Sequence, residues 1–100
     1  RDEMELKLAE KIFIAGDFYY RRKLYHPGII YFNDLLNQYP RSYWASQALL
    51  RLYQSYSSLE WDTEAEEVKE RLLRDFPDSD AAKEIGADQD GGGAVEKGTS

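Results

Sequence analysis

At 100 residues the chain is long enough for one small domain, and with no cysteine it has no disulfide, no thiol catalysis and no thiolate metal site. Its net charge of −6 argues against nucleic-acid binding, because neutralising phosphates takes Lys and Arg clustered on one face, and the one basic run, Arg21-Arg22-Lys23, is short. No apolar run approaches the roughly 18 residues needed to cross a bilayer, and the charged N-terminus holds no signal-peptide core.

Apolar residues Leu6, Ala9, Ile12, Phe13, Gly16, Tyr19 and Tyr20 recur at three and four, which predicts a helix over about residues 3–22. Lys23-Leu24-Tyr25-His26 reads as the turn, and Pro27 fits the first turn of a second helix, where a missing N–H is harmless. That helix carries Ile29, Ile30, Phe32, Leu35, Leu36 and Tyr39 and stops at Pro40. Small residues at Gly16 and Gly28 would let the two antiparallel helices approach closely, with Ala65 in the same part further on.

Ser42 has the side chain of an N-cap for a third helix, whose stripe is Trp44, Ala45, Ala48, Leu49, Leu52 and Tyr56, running to about Ser58. A fourth begins in Asp62-Thr63-Glu64-Ala65-Glu66-Glu67. There Thr63 and Glu66 have capping-box spacing, and the carboxylates suit the positive end of the dipole. Ala65, Val68, Leu72, Leu73 and Phe76 form its apolar face before Pro77. Ser79 can cap a short last helix over Ala81, Ala82 and Ile85, closed by Gly86. From residue 87 a Gly-rich segment has almost no large apolar side chain, so residues 87–100 are expected to be a disordered tail.

The two pairs of helices are one pattern written twice. Ile12, Gly16, Tyr19, Gly28, Phe32, Leu35, Tyr39, Pro40 and Ser42 fall without a gap on Leu49, Tyr53, Tyr56, Ala65, Lys69, Leu72, Phe76, Pro77 and Ser79, a period of 37 in which most pairs keep their chemical type. A period in that range means stacked repeats. The expected fold is therefore all-α: unit one over about 4–40, unit two over about 42–77 and a capping helix over 79–86.

The order of large, glycine, aromatic, small, aromatic and proline positions resembles the tetratricopeptide repeat, with three residues more than its usual 34. The linkers Tyr39-Pro40-Arg41-Ser42 and Phe76-Pro77-Asp78-Ser79 hold the extra length and are similar to those of bacterial envelope proteins. Within that group the chain resembles the C-terminal repeats of the BamD family, lipoproteins of the outer-membrane β-barrel assembly machine. The resemblance rests on Ala15-Gly16-Asp17-Phe18-Tyr19-Tyr20-Arg21-Arg22, Asn37-Gln38-Tyr39-Pro40-Arg41-Ser42, Ala48-Leu49, Tyr56, Leu59, Glu64-Ala65 and Arg74-Asp75-Phe76-Pro77-Asp78-Ser79, and covers about residues 5–85. It implies the periplasmic face of the Gram-negative outer membrane, docking on the POTRA domains of BamA, and a lipidated N-terminal Cys, which this sequence lacks. Tyr31 stands where the family often carries an Arg, so a carboxylate contact does not transfer intact.

No constellation of nucleophile, base and oxyanion donors is present, so no enzyme is expected. Nor is a cofactor, a metal or a nucleic acid. His26 has no second His, Ser or Cys beside it and reads as a turn residue. Asp62, Glu64, Glu66, Glu67 and Glu70 lack the turn glycine and ligand spacing of a calcium loop. The informative surplus is aromatic: eight Tyr and two Trp exceed what four short helices can hide. Tyr19, Tyr39, Tyr56 and Phe32 are assigned to the core. Tyr20, Tyr31, Trp44 and Trp61, with Arg21, Arg22 and Asp34 as rim charges, are the candidate partner-binding residues. Packing against further repeats is the competing reading for the same aromatics. An alternative function is that of the periplasmic tetratricopeptide proteins of cell division, which share the same loops.

Overall fold

The computed structural model describes residues 2–86. Four helices, α1 (Asp2–Arg21), α2 (Tyr25–Gln38), α3 (Tyr43–Ser58) and α4 (Asp62–Asp75), are followed by α5 over residues 80–86. The helices form two hairpins, α1 with α2 and α3 with α4, and α3 also packs on both helices of the first hairpin. The described residues contain no strand. This is the tetratricopeptide-like, all-α repeat expected from the period. The expected tail lies outside the described residues.

The period is present in the backbone hydrogen bonds themselves. Leu24 N donates to Tyr19 O at 2.9 Å, and Trp61 N donates to Tyr56 O at 2.8 Å. The residues just before, Lys23 and Glu60, both adopt φ 63°, the left-handed conformation that ends a helix by satisfying its last carbonyls. At the other end of each unit Tyr39 N donates to Leu35 O and Phe76 N to Leu72 O. Ser42 Oγ then accepts from Ala45 N at 3.1 Å, and Ser79 Oγ from Ala82 N at 3.0 Å. Both serine caps are thus as expected.

The left-handed turn starts α2 sooner than its sequence suggests, whereas α4 begins at Asp62 as expected. Tyr25 and His26 lie inside α2 rather than in the turn, and the cap position is Leu24. The same geometry places Trp61 at the cap of α4 with no side-chain bond, so the Thr63–Glu66 capping box does not form. Gly86, expected as the stop of α5, is itself helical.

The core is a single cluster around Phe32, Leu35, Leu49, Leu52, Leu72 and Ile85, all fully buried. Gly28 permits the expected close approach: a Cβ there would stand 3.1 Å from the Gly16 carbonyl oxygen. Three apolar residues of the expected stripes are instead on the surface, and Tyr39, expected in the core, is half-buried. Leu6, Ile30 and Leu73 are exposed, and Tyr19 is only half-buried, whereas its counterpart Tyr56 is in the core. The inequality has a packing cause. Among the four long helices, α3 is flanked by α1, α2 and α4, but α1 by α2 and α3 alone. Leu8, Ile12, Ala15 and Tyr19 of α1 are therefore at least partly exposed where Ala45, Leu49, Leu52 and Tyr56 of α3 are buried.

Candidate functional site

The helical spacing of α1 puts Phe13, Asp17 and Tyr20 on the side that meets α3, with Ile14, Phe18, Arg21 and Arg22 beside them. Asp17 is buried, 6 % exposed, and is the acceptor for two arginines. Arg21 Nε donates to its Oδ2 at 2.7 Å and Arg51 Nε to its Oδ1 at 2.9 Å. Arg51 also donates to Gln54 Oε1, which accepts from Tyr20 Oη as well, both at 3.1 Å. One carboxylate, one amide, one phenol and a guanidinium thus tie α1 to α3. Burial raises the Tyr20 phenol above its ordinary pKa, and the nearby Arg51 guanidinium opposes that shift.

Beside this tie lies an open groove of about 440 Å³ lined by Phe13, Ile14, Asp17, Phe18, Arg21, Arg22 and Trp44. Its floor is aromatic. Trp44 packs on Phe13 with ring centroids 5.0 Å apart, and Phe13 on Phe32 at 5.5 Å. At the rim, Arg22 Nη1 donates to the Phe18 carbonyl at 2.9 Å, while its guanidinium sits 3.7 Å from the centroid of the Phe18 ring. Ile14 and Phe18 are 58 % and 49 % exposed, so this apolar surface faces solvent.

From Phe18 a ladder of rings crosses α1 to α2. Phe18 meets Tyr19 edge-on at 5.3 Å, and Tyr19 stacks on Tyr31 at 5.7 Å and 16°. The structure therefore joins two expected site residues that are distant in sequence, Arg22 and Tyr31, through Phe18 and Tyr19. It gathers Arg21, Arg22 and Trp44 in one groove. Asp34 is exposed on α2 and accepts from Gln38 Nε2 at 2.9 Å. Two expected residues have work within the fold. Tyr20 is bonded into the tie between α1 and α3. Trp61 stacks on Tyr56 at 5.8 Å and meets His26 edge-on at 5.4 Å, joining the start of α4 to the first turn of α2.

Asp17, Arg51, Ile14 and Phe18 were not among the expected site residues. The four-residue spacings Asp17 to Arg21 and Phe18 to Arg22 are the local signals that would have pointed to two of them. Among the described residues no group of three or more acidic or His side chains is placed to hold a metal ion, and no helix is long and apolar enough to cross a membrane.

Paired helices stacked in register, with an aromatic and basic groove along their shared side, define a helical-repeat protein. The chain belongs to the YfiO family of outer membrane lipoproteins, whose family model matches residues 2–72. Membership associates it with the bacterial envelope. No curated protein and no solved structure matches the chain.

Proposed function

We propose that the chain is a non-enzymatic docking module of the outer-membrane β-barrel assembly machinery, working on the periplasmic face of that membrane with the POTRA domains of BamA as its partner. The observation that carries this reading is the ladder Arg22, Phe18, Tyr19 and Tyr31, exposed at Phe18 and Tyr31 and set on paired helices in a member of an outer membrane lipoprotein family. Aromatic side chains and arginine are what interface centres are enriched in, and rings already packed on one another lose little conformational freedom when covered. Membrane attachment falls to the lipid anchor from which the family takes its description.

The test is capture of purified POTRA domains by the full chain. Tyr31→Ala is expected to weaken the complex by roughly 1–2 kcal/mol, the scale of an interface aromatic, with the far-UV helix signal unchanged. Capture no better than that by a variant with Phe18, Tyr19, Arg22 and Tyr31 all replaced by Ser would overturn the reading.

A further inference from the structure

From the groove between α1 and α3 we infer that this surface takes a short segment of a partner protein in which glutamate or aspartate alternates with large apolar side chains. The inference rests on the docking reading and adds the chemistry of the segment that is held.

The charge in the groove is opposite to that of the chain. Arg21 and Arg51 both pair with the one carboxylate lining it, Asp17, and Arg22 lines the groove beside them, which leaves two positive charges over on a protein whose net charge is −6. Among the described residues Arg22 meets no carboxylate; it is held by the Phe18 carbonyl and ring. Arg21 uses only Nε on Asp17 and its side chain is otherwise exposed, so its two terminal nitrogens can take a carboxylate from outside, while Arg22 commits Nη1 to the Phe18 carbonyl and keeps its remaining donors for the same purpose. A guanidinium offers two parallel donors to a carboxylate, which gives direction as well as attraction. Between the charges lie Phe13, Ile14, Phe18 and Trp44, a floor for apolar side chains adjoining the acidic ones.

The same features disfavour the other anionic ligands. A chain of charge −6 is repelled by an anionic bilayer or a nucleic-acid backbone beyond the contact itself. Three arginines around one groove do not form the extended basic face those surfaces require. A local acidic and apolar segment meets the excess charge without bringing a large field of like sign.

The experiment uses the full chain and a fluorescent, end-capped peptide alternating Glu with Phe and Leu, read by anisotropy. Saturable binding is expected, about tenfold weaker when every Glu is replaced by Gln, the scale of losing a charge-assisted contact. The double variant Arg21→Gln with Arg22→Gln should bind both peptides equally and keep its helix signal. Equal affinity of the unaltered chain for the two peptides, or an unchanged preference in the double variant, overturns the inference. So does binding to phosphatidylglycerol vesicles that the Glu peptide fails to compete. POTRA capture by the unaltered chain separates the two readings. If the unaltered chain captures POTRA domains but shows no preference for the Glu peptide, the groove assignment falls while docking stands. If it captures none, docking itself falls.

Discussion

Gly16 lies directly beneath the ring of Phe32: a Cβ at Gly16 would stand 2.7 Å from Phe32 Cε1 and 2.9 Å from Cζ. Phe32 is fully buried and cannot swing aside without opening the core. Gly16→Ala is therefore expected to destabilise by roughly 1–3 kcal/mol, the scale of overpacking, despite the better helix propensity of Ala. Gly28→Ala should cost distinctly less. Its Cβ meets the Gly16 carbonyl at 3.1 Å, a contact that a small shift relieves, and the second hairpin already holds Ala65 at that position. Urea unfolding of the two variants checks the order; equal losses would contradict it.

Asp17 and Arg21 form an ion pair as short as that of Asp17 with Arg51, yet the two pairs differ in worth. The Arg21 side chain is 75 % exposed and that of Arg51 25 %. Arg21→Ala should change stability by less than about 0.5 kcal/mol, as for surface pairs. Asp17→Ala leaves Arg51 partly buried without its carboxylate and is expected to cost about 2 kcal/mol. Adding Arg51→Met should recover part of that loss. A double-mutant cycle in thermal unfolding measures the coupling, and additive losses would disprove the tie.

Lys23 and Glu60 hold φ 63° without being glycine. The left-handed region crowds Cβ against the following carbonyl, and glycine avoids that at some entropic expense in the unfolded chain. Lys23→Gly and Glu60→Gly are each expected to stabilise by up to about 1 kcal/mol, whereas valine at either position should destabilise. Thermal midpoints of the four variants provide the comparison.

Tyr20 supplies a pH dependence. Burial raises its phenol pKa in the folded state, so the native protein holds this proton more tightly than the unfolded chain does. Below the ordinary value of about 10 both states are protonated and the contribution is complete. As pH rises past that value the unfolded chain ionises first, and the contribution is lost through the folded value. Tyr20→Phe begins less stable, lacking the bond to Gln54, but should lose less stability than the parent between about pH 8 and about pH 11. Parallel slopes in urea titrations across that range would refute this.

The elements governed by local chemistry were legible in the sequence. Ser42 and Ser79 cap because their partners are three residues away, and the 37-residue period follows from residues that each unit needs for itself. What depends on distant partners was not. Nothing in the spacing of its helix marks Asp17 as buried, and its second partner, Arg51, lies 34 positions later. Tyr19 shares its pattern with Tyr56, yet they differ in burial because α3 has one more neighbouring helix. The early start of α2 was hidden for another reason: Lys23 takes a conformation that sequence usually announces with glycine. Of the expected site residues, Arg21, Arg22, Tyr31 and Trp44 lie on the surface now described, while Tyr20 and Trp61 are used in joining helices.

The matched turns at Lys23 and Glu60 have a consequence for recognition. Since both hairpins reverse direction through the same torsion and the same carbonyl contacts, the curvature of the stack is written into short stretches of chain and owes nothing to whatever settles on it. Such a surface arrives in its final shape. Complex formation then spends little entropy on ordering the scaffold, and discrimination between ligands is left to side chains at the rim.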